Sequence, residues 1–124
     1  MIKFCEGLPK DETGKILARQ LLRSGTSVGA NYRAACLAKS KPTFISKLGD
    51  VLEEADEAGY WIELLVDSGR VDLQRAAPLV KEAGELVAIA IHQYREAQLR
   101  IMIRARQKIE GREALCTVHF TLCI

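Results

Sequence analysis

Apolar side chains recur at three- and four-residue intervals through most of this chain, the spacing of one face of an α-helix. From Lys15 to about Lys39 the positions Leu17, Leu21, Val28, Tyr32 and Ala35 keep that spacing, and Ile16, Leu22 and Cys36 widen the stripe. Asp11 or Thr13 can cap its start. Ser40 and Pro42 end this helix and open the next, because proline is tolerated in a first turn, where its missing N–H would bond nothing. Phe44, Leu48, Val51, Leu52, Ala55, Ala58, Ile62, Leu65 and Val66 then step by threes and fours, the clearest amphipathic pattern in the chain. It stops at "DSGR", where Gly69 is placed to take the left-handed conformation after the last turn.

After Asp72, a candidate cap, a further helical pattern runs to about Gln107, with Pro78 expected to kink or restart it. Its middle, "ELVAIAIHQY", is apolar on more than one face, which predicts burial on two sides or at a subunit contact. Ahead of these segments, "IKFCEGL" has room for about two turns of a first helix before Pro9. The end differs: "EALCTVHFTLCI" alternates as a strand does, with Val118, Phe120, Leu122 and Ile124 on one side. An edge strand, an extended arm and a disordered tail all fit that alternation. Short connections between long helices favour antiparallel neighbours. The expected fold is therefore all-α: an antiparallel up-down four-helix bundle with a shortened first helix and an extended C-terminal tail, one domain over residues 1–124 with the tail from about residue 105.

Composition changes little in that picture. At 124 residues, 48% hydrophobic and 27% charged, the chain has the make-up of a soluble globular domain. Its longest apolar run, Leu86 to Ile91, falls far short of the about 20 residues a membrane span needs. "MIKFCEGLPK" lacks the apolar core of a secretory signal, so a cytoplasmic location with no membrane partner is expected. Cys5, Cys36, Cys116 and Cys123 form no CxxC pair and read as free thiols. Charge is more informative in its order than in its total of +2. Seven basic residues and no acid lie between Lys15 and Lys47; seven acids and no base lie between Leu48 and Asp67. Residues 95–112 return to six basic against two acidic. Such blocks can dock on one another, on another subunit or on a polyanion.

"RQLLRSGTSVGANYRAA" raises the question of a phosphate cradle. A Walker loop needs a Lys directly after its second spaced glycine and a strand before it, and both are missing. The apolar phase runs straight through Gly25 and Gly29, so the glycines read as thin points in a helix, each costing about 1 kcal/mol and offset by close approach of another element. Ser27 and Asn31, one turn apart, are placed for an interhelical hydrogen bond. Cys116, His119 and Cys123 lack the fourth ligand and tight pairing of a structural zinc site. His92 reads as a core or rim residue. Glu53, Glu54 and Glu57 invite a carboxylate metal site, but no Glu-x-x-His pair accompanies them, and a salt-bridged face is the simpler reading. No cofactor, metal or catalytic group is therefore expected. Tyr60 and Trp61 suit a subunit contact. Arg19, Arg23, Arg33, Lys39, Lys41 and Lys47, with Arg95, Arg100, Arg104 and Arg106, are the candidate polyanion contacts, Arg19, Arg23, Arg33, Arg100 and Arg104 foremost.

The segment from Arg19 to Gly69 resembles a known signature. Gln20, Arg23, Ser24, Ser27, Gly29 and Asn31 on one helix, Ser40 and Phe44 at the next helix start, and Glu54, Glu57, Tyr60 and Trp61 along it are similar to those of the S23 ribosomal protein family. These are four-helix bundle proteins encoded within intervening sequences of bacterial large-subunit ribosomal RNA genes, with the accessory variability determinant of diversity-generating retroelements as a relative. The resemblance implies a ring-like homopentamer without enzymatic activity. For the retroelement relative it implies association with a reverse transcriptase and with RNA. The expected function is thus a non-catalytic oligomeric scaffold or adaptor that presents basic helix surfaces to RNA or to a nucleic-acid-handling protein. A carboxylate-lined metal-binding bundle and a purely structural oligomer held by opposite charges are the alternatives. This chain departs from the family in its short first helix, in Arg33 after the "NY" pair where an acid is common, and in its end.

Overall fold

The computed structural model describes the backbone of residues 1–122 and the side chains of residues 1–111. Four helices follow one another: α1 (Ile2–Glu6), α2 (Glu12–Cys36), α3 (Lys41–Asp67) and α4 (Leu73–Leu122). The architecture is all-α, with no strand among the described residues. The chain falls into two units, Met1–Tyr94 and Arg95–Ile124.

Local chemistry accounts for most of the helix ends. Ser40 caps α3, its Oγ accepting from the Thr43 N–H at 3.2 Å, and proline occupies the first turn. Gly69 has φ +69°, and the N–H groups of Gly69 and Arg70 bond back to the carbonyls of Val66 and Leu65 at 2.9 and 3.0 Å. This is the left-handed closure that a Cβ would strain. Asp11 stands at the N-cap of α2 but makes no side-chain cap bond. Its carboxylate accepts from Arg70 Nη2 at 2.6 Å instead, linking the start of α2 to the turn after α3. Asp72 opens α4 through its carbonyl, which accepts from the N–H groups of Arg75 and Ala76 at 3.0 and 3.1 Å.

Two expectations are corrected. Helix α4 runs through Pro78 as one helix, so the restart offered as one of the two alternatives there does not occur. Five residues into the helix, the ring removes one bond, to the carbonyl of Gln74, and leaves the flanking ladder in place. The extended tail expected from about residue 105 is helix as far as Leu122. Leu, Arg, Gln, Lys and Ala dominate the turns before it, and extending an existing helix costs far less than starting one, so a short period-two pattern does not stop it. Cys123 and Ile124 lie outside the described residues.

Helices α2 and α3 form the central antiparallel pair of the first unit. Leu17 and Leu21 from α2 and Ala58, Ile62 and Leu65 from α3 are buried in one cluster with Cys5, Leu8, Val71 and Ala76. Leu21, Leu48 and Leu65 have no exposed surface, and burial at that level contributes about 1.5 to 3 kcal/mol for each side chain. Met1 and Phe4 of the short first segment pack against this cluster, as do Trp61, Leu64 and Leu79. Arg75 fastens that segment, donating to the Gly7 carbonyl at 3.2 Å with its guanidinium 5.6 Å from the Phe4 ring centroid. Farther along α2, beyond Met1, Tyr32 and Gln93 of α4 meet through a 3.4 Å hydrogen bond, so α4 reaches α2 directly where α1 has ended.

Gly25 answers the question posed by the glycine-rich stretch. A Cβ there would occupy the space of the Met1 side chain, so this thin point of α2 accommodates the end of the first segment. Gly29 is exposed and has nothing within 4 Å of its would-be Cβ. In denaturant unfolding, Gly29→Ala is expected to stabilise the subunit by about 0.5 to 1 kcal/mol through helix propensity alone. Leu65→Ala is expected to destabilise it by about 2 to 5 kcal/mol, because the fully buried side chain leaves a cavity. A neutral Leu65→Ala would contradict the core assignment.

Candidate nucleic-acid interface

The charge blocks along the sequence become faces once the helices form. A helix turns about 100° per residue, so Arg33 stands five turns above Lys15 on the same side of α2, with Arg19 about 40° away. Lys15, Arg19 and Arg33 are all exposed, and none has an ion-pair partner among the described residues. At 1.5 Å per residue the stripe is about 27 Å long. Lys39 and Lys41, in the turn and at the start of α3, are exposed beyond its end and are likewise unpaired among the described residues. Lys15 is absent from the sequence-based set of candidates. Its place 18 positions before Arg33, a whole number of helical turns, is the signal that identifies it.

Arg23 has a different role. It lies at the edge of α2 that faces α3, where Nη1 donates to Glu54 Oε2 at 3.4 Å and Nη2 donates to Glu57 Oε1. Nε reaches Gln20 Oε1 at 3.4 Å, and Trp61 Nε1 donates to the same Glu57 oxygen at 3.0 Å. The Arg23 guanidinium, aided by the Trp61 N–H, holds the Glu57 carboxyl below the usual carboxylate range, and Glu57 in turn raises the Arg23 pKa. Arg23, a candidate polyanion contact by sequence, thus has its charge committed to two carboxylates of α3. Lys47 is likewise spent locally, on Asp50 at 2.8 Å.

The same network redefines the acidic helix. Glu54 and Glu57 serve as partners of Arg23, while Glu53 is exposed. Among the described residues no three His, Cys, Asp or Glu side chains are grouped to hold a metal ion. Cys116, His119 and Cys123 lie outside the described side chains, and His92 is exposed. Trp61 is half-buried against the core, with its ring centroid 5.0 Å from that of Tyr60 in an edge arrangement. Of the two aromatic residues, Tyr60 is the one left open, 52% exposed.

The small polar residues of α2 bond along their own helix. Ser24, fully buried, donates to the carbonyls of Gln20 and Leu21 at 3.0 and 3.3 Å, and Thr26 donates to Leu22 at 2.7 Å. Ser27 and Asn31 are half-buried and make no side-chain hydrogen bond among the described residues, so the interhelical bond expected of them falls to Tyr32 and Gln93. In the second unit, Arg95, Arg100 and Arg104 are exposed, and Arg106 pairs with Glu110 at 2.8 Å.

The depressed pKa values carry a definite pH dependence. Glu57, held down by Arg23, and Asp11, held down by Arg70, bind protons less readily folded than unfolded. Their contribution to stability is complete above the ordinary carboxylate range, about 4, and is lost as pH falls through the folded values. Urea midpoints measured from neutral pH downward are expected to fall below about pH 4, and to fall less steeply in Glu57→Gln. Identical slopes for the variant and the parent protein would remove the Arg23 pair from the stability account.

Comparison with known proteins agrees with this architecture. Among the described residues no helix is long and apolar enough to cross a membrane. No curated protein matches the chain. A crystal structure at 1.70 Å of a protein with unknown function from the S23 ribosomal protein family, from Bacteroides thetaiotaomicron, is similar with a TM-score of 0.63 and 37% sequence identity. The match covers 64% of this chain and 73% of that one. The family model described as 23S rRNA-intervening sequence protein matches residues 1–92, which span α1 to α3 and the first part of α4. The chain belongs to the 23S rRNA-intervening sequence protein family.

Proposed function

We propose that this protein is a non-catalytic helical scaffold that holds RNA on the exposed face of α2 and acts as an oligomer. The observation that carries the reading is the stripe of Lys15, Arg19 and Arg33, free of acidic partners among the described residues and fixed on one rigid helix. Phosphate binding needs clustered cations that are not already spent on carboxylates. On α2 the fold supports this, because Arg23 faces α3 and pairs with Glu54 and Glu57 while Lys15, Arg19 and Arg33 are exposed. Family membership, with genes lying in 23S rRNA intervening sequences, suits an RNA partner. RNA is favoured over a protein partner such as a reverse transcriptase because the exposed charges of the stripe are all cations without an acidic partner among the described residues.

The test is retention of a generic single-stranded RNA across a salt series. Three phosphate contacts predict a log–log slope of roughly −2. Arg19→Glu with Arg33→Glu should weaken binding at least tenfold and reduce that slope by roughly 1.4. Arg23→Glu should lower thermal stability and leave the slope nearly unchanged. Binding that survives the α2 double variant with its original slope would disprove the assignment.

A further inference from the structure

The acidic block of α3 has a second edge that the first unit leaves unpaired. Glu54 and Glu57 face Arg23, but Asp56 and Glu63 lie on the opposite side of α3, beside α4, and have no ion-pair partner among the described residues. They rim a groove of about 360 Å³ between α3 and α4. Gly59 and Gly84 line it, with nothing within 4 Å of either would-be Cβ, and Val80 and Val87 supply its apolar surface. Tyr60 is exposed at its edge. Two glycines inside helices each cost about 1 kcal/mol, and no contact within this unit explains them. They leave the backbone open to close approach by another helix.

The second unit has the complementary surface. Leu99, Met102, Ile103 and Ile109 are 57%, 68%, 47% and 58% exposed, too much apolar surface on one short segment to be incidental. Leu99 and Ile103 share a helix face that borders Arg100 and Arg104. These two arginines and Lys108 have no ion-pair partner among the described residues, whereas Arg106 is spent on Glu110. From Arg100 to Arg104 is about 6 Å along the axis, and from Asp56 to Glu63 about 10.5 Å, a difference that the long arginine side chains can span by splaying toward the two carboxylates.

We propose that residues 95–111 of α4 dock into the α3–α4 groove of a second copy of this chain. Leu99 and Ile103 pack over Gly59 and Gly84, and Arg100 and Arg104 pair with Asp56 and Glu63. The docking segment lies beyond residues 1–92 matched by the family model, while the groove lies within them. The contact also assigns Arg100 and Arg104, candidate RNA contacts by sequence, to a protein partner. The proposal rests on the oligomer of the proposed function and deepens it, whereas the RNA-facing stripe of α2 takes no part, so the RNA reading stands or falls separately.

Light scattering coupled to size exclusion on the full chain is the test, with circular dichroism to confirm retained helix. The parent protein should show a mass at least twice the 13.8 kDa of one chain. Arg100→Glu with Arg104→Glu, and separately Asp56→Lys with Glu63→Lys, should each shift the mass toward one chain by at least tenfold weaker association. Mixing the two variants should restore assembly, because each arm then meets a groove of opposite charge in both directions. Three outcomes would overturn the proposal: a parent protein of single-chain mass at all concentrations, as docking within one chain would give; variants that still assemble alone; or a mixture that fails to assemble. Loss of RNA retention in Arg100→Glu with Arg104→Glu at unchanged mass would show that RNA holds this face instead.

Discussion

Burial of the apolar seam between α2 and α3 is the constraint on which the remaining features depend. Leu21, Ile62 and Leu65 must leave water together, and this fixes the rotation of each helix about its axis. Once that rotation is set, every other side chain on the two helices has a direction. Arg23 meets Glu54 and Glu57 because the seam brings it there, and Lys15, Arg19 and Arg33 face solvent for the same reason. The ion pairs are partly exposed and act mainly as registry marks along a seam held by apolar burial.

The short α1 makes the first unit asymmetric along its length. At one end, Cys5 and Leu8 complete the core, and Asp11–Arg70 and Arg75–Gly7 tie the early chain to the turn after α3. Beyond Met1, the direct Tyr32–Gln93 contact takes over. Met1 itself fills the space that Gly25 leaves, so one glycine of α2 is explained by intramolecular packing and the other, Gly29, is not.

Charge sorting follows from the same geometry. A helix with acids on two edges offers each edge to a different neighbour. On α3 one edge is satisfied inside the unit by Arg23, and the other stays unpaired beside an apolar groove. A total charge of +2 conceals this arrangement, since a basic helix face, an acidic groove and a basic, apolar segment nearly cancel in the sum. Association is governed by these local fields, which act over about a Debye length.

Local signals in the sequence determined the helices, the Ser40 cap, the left-handed Gly69 and the apolar faces, because each depends on residues within a few positions of one another. The basic stripe of α2 was legible for the same reason, as helical periodicity places its members. Only the tertiary structure decided that Arg23 is committed to Glu54 and Glu57, that Trp61 is half-buried, that Asp11 serves Arg70 and that Met1 occupies the gap at Gly25. Those partners stand tens of residues apart in most cases, and packing alone brings them together. The helical end of α4 shows the reverse limit: the alternation of Val118, Phe120 and Leu122 is a local signal, but cooperative propagation of the preceding helix outweighs it.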